Sequence, residues 1–237
     1  MLKFIDHTKM GKGEHGWLES HFHFSFAQYY NPKNINFGVL RVLNDDIVQP
    51  NGGFAPHPHK DMEIISYVVN GTLSHKDSMG NERSLTRGQV QYMSAGTGVI
   101  HSEYNHGNTE VRFLQMWILP NQVGHTPNYG DYAFKLEDRY NKWLPLATDK
   151  ENKENDAPIK IHADVNVYAT ILSANQATEI ILKPNRQAYL VCIEGHAIVG
   201  NLNLRMRDAV EITEETLVPI KAKEDGAHLY LIEMAEI

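Results

Sequence analysis

Two short motifs contain the residues of this sequence that are best suited to bind a metal ion. His57 and His59 are separated by one proline, and His101 and Glu103 are separated by one serine. Residues i and i+2 of an extended strand project from the same face, so each motif can direct two side chains at one cation. Three imidazoles and one carboxylate suit Fe(II), Mn, Co, Ni, Cu or Zn. We therefore predict one divalent transition metal per chain, and these ligand types leave open which of the six ions it is; Fe(II) is our first choice among them.

A third motif has the same histidine spacing but a different setting. His21 and His23 alternate with Phe22, Phe24 and Phe26. This alternation is typical of a half-buried strand, in which the histidines serve packing. We therefore predict that His21 and His23 are not metal ligands.

Two further residues are candidates for roles near the metal. Glu63 follows His59 by four residues and would share its strand face, so strand parity alone leaves Glu63 and Glu103 both open as the carboxylate ligand. His75 follows a turn at Gly71 and can pair with Asp77 or with solvent. Because metal-bound imidazoles usually need a hydrogen-bond acceptor that orients them, we treat Glu63 and His75 as candidates for that supporting shell.

Composition narrows the class of protein. The 237 residues contain 22 Lys and Arg against 29 Asp and Glu, and the net charge of −7 argues against direct nucleic-acid binding. The single cysteine, Cys192, has apolar neighbours and cannot form an intramolecular disulfide. The N-terminal residues lack the apolar run of a secretory signal, and nowhere do eighteen apolar residues follow one another. We expect a cytoplasmic monomer without a membrane partner.

Short β-rich runs between turn signals predict an all-β fold, with helical periodicity weak everywhere. A short helix or irregular connector is expected over 131–146, and a solvated loop over 149–156. The predicted strands are Ile35–Leu43, Met62–Val69, Gln89–Met93, Val111–Leu119, Val165–Leu172, Tyr189–Ile193 and Leu229–Met234.

An internal repeat becomes visible when Gly71 is set against Gly195, because each glycine then lies in a strand, turn, strand pattern. The repeat predicts that the second half has lost the ligands. Under this alignment His57, His59, His101 and Glu103 face Ile181, Lys183, Lys221 and Lys223.

Beyond these spacings, most of residues 1–120 resembles the pirin family of two-barrel cupins. The resemblance implies two cupin (double-stranded β-helix, jelly-roll) barrels packed face to face with few short helices. We expect a metal-binding domain over 1–144 and a domain without ligands over 145–237. The motifs that carry the resemblance are Trp17-Leu18-Glu19-Ser20, His23-Phe24-Ser25-Phe26, Tyr29-Tyr30-Asn31-Pro32, Pro56-His57-Pro58-His59, His75-Lys76-Asp77-Ser78-Met79-Gly80-Asn81 and Ala95-Gly96-Thr97-Gly98-Val99-Ile100-His101-Ser102-Glu103.

The same resemblance implies ligands at His57, His59, His101 and Glu103, so Glu103 is favoured over Glu63. It also implies a dioxygenase that cleaves a flavonol such as quercetin with O2 and releases carbon monoxide, and Glu103 is our candidate for the base that removes the flavonol proton. The alternative is a non-catalytic, redox-sensing regulatory protein that acts through a protein partner, because family fold does not fix function. A purely structural metal is a third reading.

Overall fold

The computed structural model describes residues 1–236, and these residues form β-strands joined by turns and two 3-10 helices, His7–Lys9 and Leu136–Arg139. The strands are β1 Leu2–Ile5, β2 Gly11–Glu14, β3 Leu18–Phe22, β4 Leu40–Val48, β5 Gly53–His59, β6 Glu63–Asn70, β7 Thr72–Asp77, β8 Glu82–Thr86, β9 Val90–Ser94, β10 Val99–Tyr104, β11 Val111–Ile118, β12 Asn128–Tyr132, β13 Leu144–Asp149, β14 Ile159–Ile161, β15 Val165–Leu172, β16 Ala177–Ile181, β17 Arg186–Val199, β18 Leu202–Arg205, β19 Ala209–Ile212 and β20 Leu217–Ala235.

The chain forms two compact units. The first barrel consists of residues 10–134 with 161–163, and the second barrel consists of residues 1–9, 135–160 and the chain from Asp164 onward. The strand at the start of the chain therefore belongs to the second barrel, where β1 pairs with β19 and Leu2 lies opposite Ile212. The predicted domain boundary after residue 144 remains a prediction.

Two antiparallel sheets build the first barrel. One has the strand order β12-β9-β6-β11-β4-β3-β2, and the other has the order β5-β10-β7-β8. Val68 and Phe113 from the larger sheet pack with Leu73 and Leu85 from the smaller sheet, and all four side chains are buried. This apolar core holds the smaller sheet, which carries both predicted metal motifs.

The second barrel is built from one nine-stranded sheet with the strand order β1-β19-β17-β20-β15-β13-β14, in which β16 also pairs with β20 and β18 with β17. β17 and β20 are its longest strands, and β17 carries irregularities near Cys192 and Gly195 where it bends. Gly195 has φ +72, and a side chain there would collide with the backbone of Gly226, so glycine is required at this bend. Gly71, with φ +76, separates β6 from β7 at the matching place in the first barrel.

The all-β prediction is confirmed, and the strand predicted over Val165–Leu172 matches β15. The strand predicted over Ile35–Leu43 is wrong in its limits, because Phe37 and Leu40 close a tight turn through Gly38 before β4 begins. Within residues 131–146 the structure places the end of β12, one 3-10 helix and the start of β13. In residues 1–236 no helix has the length and apolar character needed to cross a membrane.

Candidate metal centre

Strand pairing brings the first motif against the second. β5 and β10 are antiparallel neighbours, with His57 opposite His101 and His59 opposite Val99. The imidazole of His101 lies 4.6 Å from that of His57 and 4.8 Å from that of His59, measured between ring centroids. The Nε2 atoms of His57 and His101 are 3.1 Å apart. Each of the three histidines can offer one ring nitrogen to a common ion.

The protonation states of these imidazoles suit a cation. Burial, with a smaller effect from neighbouring histidines, lowers the pKa of His59 to about 4 and that of His101 to about 3, so both rings are neutral at pH 7. His57 Nδ1 lies 2.8 Å from the Ala55 carbonyl oxygen, which can only accept, so Nδ1 donates to it and Nε2 is the ring nitrogen directed at the other imidazoles. In residues 1–236 the buried Nε2 of His59 has no hydrogen-bond partner. These residues therefore fit a divalent metal.

Glu103 is buried beside this cluster and held by three donors. Gln91 Nε2 donates to Oε1 at 2.6 Å, Gln115 Nε2 donates to Oε2 at 2.6 Å, and Ser66 Oγ donates to Oε1 at 3.3 Å. The carboxylate forms a second group of potential ligands with His75 and His101, so His101 is common to both groups. The three donors hold the carboxylate in one orientation beside His101.

His75 lies behind His101, away from the other two imidazoles. Its Nδ1 is 3.4 Å from His101 Nδ1, its Nε2 is 3.1 Å from Asp77 Oδ2, and its ring stacks on Tyr129 at 4.6 Å. Burial alone would raise the pKa of Asp77, but hydrogen bonds from Asn81 and His75 outweigh it and lower that pKa. Asp77 therefore remains an anionic partner that fixes the orientation of His75 against His101.

The other candidate acid is engaged elsewhere in the first barrel. Glu63 Oε1 accepts a hydrogen bond from Ser94 Oγ at 2.6 Å, and Oε2 accepts one from the His162 backbone N–H at 3.0 Å. The carboxylate thus fastens residues 161–163 to the barrel. Its hydrogen bonds go to these groups and not to the imidazoles of His57, His59 or His101 in the described chain.

The third histidine motif is buried but separate. His21 Nε2 lies 3.0 Å from Glu19 Oε1, and burial lowers the pKa of His23 to about 4. Neither histidine joins a group of potential metal ligands within residues 1–236. This agrees with the packing role predicted from the alternating phenylalanines.

A cavity of about 340 Å³ opens onto the imidazoles of His57 and His59. Its walls are mainly aromatic, and the indole of Trp117 lies 4.9 Å from the ring of His59 and 5.4 Å from the ring of Phe26. This volume lies within the range of small-molecule sites. The aromatic residues of the wall are Trp17, Phe22, Phe26, Phe54 and Trp117.

Two buried polar side chains of β4 also line this cavity. Asn44 Oδ1 and Asp46 Oδ1 have no hydrogen-bond partner in the part of the chain that is described. Burial raises the pKa of Asp46 to about 7; a hydrogen bond from Ser20 opposes this shift, and the neighbouring carboxylates of Asp45 and Glu103 add to it. Asp46 can therefore hold or accept a proton near neutral pH.

Sequence reasoning missed four polar residues around the site, namely Asn44, Asp46, Gln91 and Gln115. Each lies in a strand whose other residues are mostly apolar. A buried polar residue needs a partner or a ligand, so polar positions inside apolar strands were the available signal. Without cross-strand register, that signal could not show that these side chains meet at Glu103 or at one cavity.

The second barrel has aliphatic residues at the matching strand positions. His75 follows Gly71 by four residues, and Val199 follows Gly195 by four residues. Because His75 lies opposite Glu103 and Val199 lies opposite Ile220, Ile220 is the counterpart of Glu103. Likewise His57 lies opposite His101, as Ile180 lies opposite Val218. Leu182 takes the place of His59, and its backbone N–H donates a hydrogen bond to the carbonyl of Thr216. The counterparts of the four candidate ligands are thus Ile180, Leu182, Val218 and Ile220, all buried.

This register corrects the alignment made from sequence. Ile181 and Lys183 are displaced by one residue from the positions of His57 and His59, and Lys221 and Lys223 are displaced by three residues from those of His101 and Glu103. An odd displacement moves a strand residue to the opposite face. Ile181 and Lys221 are accordingly exposed. The loss of ligands holds, but aliphatic side chains replace them, not lysines.

A further group of potential ligands lies in the second barrel and is already neutralised. Asp6, His7 and Asp208 come together, and His7 Nδ1 is 2.7 Å from Asp208 Oδ1. The guanidinium of Arg205 lies 3.6 Å from Asp6 and 3.7 Å from Asp208. We therefore interpret Asp6, His7 and Asp208, together with Arg205, as a structural ion-pair cluster.

Comparisons with known families cover both barrels. Residues 5–118 match the model of the Pirin family, and residues 151–234 match a model described as the quercetinase C-terminal cupin domain. A pirin-like protein from Caulobacter vibrioides is 42% identical over 227 residues, which cover 96% of this chain and 97% of that protein.

Matches from Escherichia coli also extend over nearly the whole chain. A protein named quercetin 2,3-dioxygenase, from strain K12, is 38% identical over 220 residues, which cover 92% of this chain and 93% of that protein. The crystal structure of the bacterial pirin YhhW in complex with nickel(II) superposes with a TM-score of 0.91 at 33% identity, covering 100% of both chains.

Proposed function

The chain belongs to the pirin family, and from this we propose that it is a metal-dependent dioxygenase that cleaves a flavonol such as quercetin with O2. The observation that carries the proposal is the convergence of the three imidazoles of His57, His59 and His101, two of which line an aromatic-walled cavity of about 340 Å³. A related chain named quercetin 2,3-dioxygenase supports the reaction class.

We assign the metal to His57, His59 and His101, with Glu103 as the fourth ligand. When bound, a divalent metal of this kind supplies a Lewis-acid centre and a redox partner for O2. Fe(II) is our proposed ion, and the related bacterial pirin has been crystallised with nickel(II). Three nitrogen ligands and one oxygen ligand accept several first-row metals, so availability would decide among them. We propose that His75, fixed by Asp77, orients His101.

The cavity residues have a separate task, which is to hold a planar substrate away from water. Trp17, Phe54 and Trp117 provide flat apolar faces for aromatic rings. Asn44 Oδ1 and Asp46 Oδ1 are unsatisfied acceptors, and phenolic hydroxyl groups could satisfy them by donating hydrogen bonds. A substrate with hydroxyl groups at its edge therefore fits the lining better than a plain hydrocarbon.

Oxidation of a flavonol requires that its central hydroxyl group lose a proton. Glu103 is our proposed base, although three hydrogen bonds already occupy its oxygens, and one of them would have to loosen before the carboxylate could accept a proton. Asp46 is the second candidate, since its Oδ1 faces the cavity without a partner and its pKa of about 7 matches proton transfer near neutral pH. Glu103→Gln and Asp46→Asn, compared at equal metal content, separate the two assignments.

Oxygen consumption tests the proposed function. The metal-loaded protein should take up O2 in proportion to quercetin consumed and should bleach the long-wavelength absorbance of quercetin. The measurement should be made with iron, manganese, cobalt, nickel and copper in turn, each with metal content determined on the same sample. If no metal form takes up O2 with quercetin, the dioxygenase proposal fails, and the regulatory role through a protein partner becomes the better one.

A further inference from the structure

The second barrel contains a cavity of its own, distinct from the metal centre. It has a volume of about 580 Å³, within the range of small-molecule sites. Its floor includes Ile180 and Leu182, which stand where the first barrel has His57 and His59, together with Leu231. We call this the second cavity. A ligand there would meet an apolar floor where the first barrel offers imidazoles.

Two aromatic side chains form part of the wall of the second cavity. Trp143 and Tyr168 are each partly buried against the core of the second barrel. Trp143 Nε1 donates a hydrogen bond to the Glu179 carbonyl at 3.0 Å, and Tyr168 Oη accepts one from Asn155 Nδ2 at 2.9 Å. Both rings are thus fixed in orientation by bonds that use their polar atoms, which leaves the ring faces for apolar or cation–π contact.

The wall between these rings is built by a polar network. Asn166 Oδ1 accepts hydrogen bonds from Asn152 at 3.2 Å and from Asn155 at 3.1 Å. These bonds tie the segment 152–156 to β15. The sequence predicts this segment as a solvated loop, and the structure shows that two of its asparagines have their side chains bound to a strand. The cavity therefore has a fixed rim.

The cations of the second cavity are already neutralised. Arg186 Nη1 donates to both carboxylate oxygens of Asp164 at 2.7 Å, and Arg186 Nε donates to Glu233. Lys183 forms an ion pair with Glu154. Arg186 Nη2 is buried and has no hydrogen-bond partner in the described chain, but an anion there would meet a guanidinium whose charge two carboxylates already balance.

The carboxylates of the second cavity, in contrast, outnumber its cations. Five acidic residues and two basic residues line it, so its formal charge is −3. Asp156 and Glu179 have no basic partner among the lining residues. The electrostatic potential favours a positively charged ligand, and a positive group near the rings of Trp143 and Tyr168 would gain cation–π attraction as well.

From this combination we propose that the second cavity is a metal-independent binding site for a small organic cation with an aromatic body, of the arylalkylamine class. The aromatic body would rest on Ile180, Leu182 and Leu231, and the ammonium group would lie near the carboxylate rim and the faces of Trp143 and Tyr168. This inference does not depend on the dioxygenase proposal, because no residue of the metal centre takes part.

Calorimetric titration of the full chain, loaded with zinc to keep it redox-silent, tests the proposal. The probe is 2-phenylethylamine at pH 7.5, and 3-phenylpropionate is the anion of similar size. We expect one amine bound per chain, with the anion weaker by about tenfold or more, since opposite charges reverse the electrostatic contribution. Equal binding of the anion, or no binding of the amine, would overturn the proposal.

Two variants locate the bound amine. Trp143→Leu should weaken binding by about fivefold, the size of a partly desolvated cation–π contact, and Asp156→Asn should weaken it by about two- to fivefold. Tyr140→Leu and Glu137→Gln, exposed positions of the same barrel outside the cavity, are matched controls and should bind as the parent does. Circular dichroism verifies folding. Unchanged binding in folded Trp143→Leu, together with loss of binding in Trp117→Leu, would place the amine in the first barrel and refute the assignment.

Discussion

The two barrels pair their matching strands in the same way, and four of the inner positions at which they differ are those of the candidate metal ligands. Where the first barrel has three histidines and a glutamate, the second has Ile180, Leu182, Val218 and Ile220. In the second barrel these side chains extend the apolar core. In the first barrel the same positions hold polar side chains, whose burial is unfavourable and which add little to the apolar core. The comparison shows that the same strand positions accept either metal-ligand side chains or aliphatic side chains. The first barrel uses them for a candidate metal site, and the second uses them for its apolar core.

The strongest test of this comparison removes one imidazole. His101→Ala should abolish stoichiometric metal binding, because His101 belongs to both groups of potential ligands, while the apolar cores keep the fold. Elemental analysis measures the metal, and circular dichroism measures the fold. His196→Ala, an exposed histidine of the second barrel, should keep its metal. Full metal occupancy in His101→Ala would refute the ligand assignment.

The matching position in the second barrel should behave in the opposite way. Ile180→Ala should lower the free energy of unfolding of that barrel by about 2–4 kcal/mol, because it leaves a cavity in the core. In metal-free protein, His57→Ala should change the stability of the first barrel by less than about 1 kcal/mol, since it removes a partly exposed polar ring.

Urea denaturation can follow each barrel separately, because Trp143 reports the second barrel and Trp17 and Trp117 report the first. Equal losses of stability for Ile180→Ala and His57→Ala would remove the distinction between the two copies.

The barrels should also differ in their response to pH. The folded pKa of Asp46, about 7, lies above the ordinary value of 3.8, so the native state binds this proton more tightly and loses stability as pH rises from about 4 to about 7. At pH 8, Asp46→Asn should therefore stabilise the metal-free first barrel by up to about 4 kcal/mol, and at pH 4 by almost nothing.

Thr170 is the counterpart of Asp46 in the second barrel, because it lies opposite Leu229 as Asp46 lies opposite Phe113. The threonine hydroxyl does not titrate between pH 4 and pH 8. Asp46→Asn should leave the pH dependence of the second barrel unchanged. Urea midpoints measured between pH 4 and pH 8 check both expectations, and a stabilisation that is independent of pH would contradict the assigned cause.

The smallest expected effect concerns the support of His101. Asp77→Asn should weaken metal affinity by about 10–100-fold, because it removes the anion that fixes His75 behind His101. Competition with a chromogenic chelator measures the affinity. Asp61→Asn serves as a control, since Asp61 accepts a hydrogen bond from the Gly124 backbone and has no contact with these imidazoles. Equal affinity in the Asp77 variant and the control would show that His75 needs no anionic partner.

Much of the first site could be predicted from sequence because it depends on local spacing. A separation of two residues on a strand fixes a common face, and this alone placed His57 with His59 and His101 with Glu103. The same rule failed to choose between Glu63 and Glu103, since both satisfy parity. Their environments differ only through partners distant in sequence, such as Gln115 for Glu103 and His162 for Glu63.

The comparison of the two halves was harder to predict, because a register is a long-range property. Matching Gly71 to Gly195 gave the correct duplication, yet turns of unequal length displaced the alignment by one residue at Ile181 and by three at Lys221. Only the pairing of β16 and β20 reveals that Ile180 and Val218 are the true counterparts. These displacements of one and three residues changed the expected second site from aliphatic to mainly cationic.

The pairing of β1 with β19 has a consequence for the order in which the chain can fold. Leu2 leaves the ribosome first, but its partner Ile212 is made about two hundred residues later. The first barrel has all its strands once residue 163 has emerged, whereas the second must keep an unpaired sheet edge until residue 212 has emerged. Such distant contacts slow folding and expose strand edges to aggregation. Translation therefore supplies all strands of the first barrel before those of the second. Newly made chains are most exposed to aggregation in the interval before β19 emerges and pairs with β1.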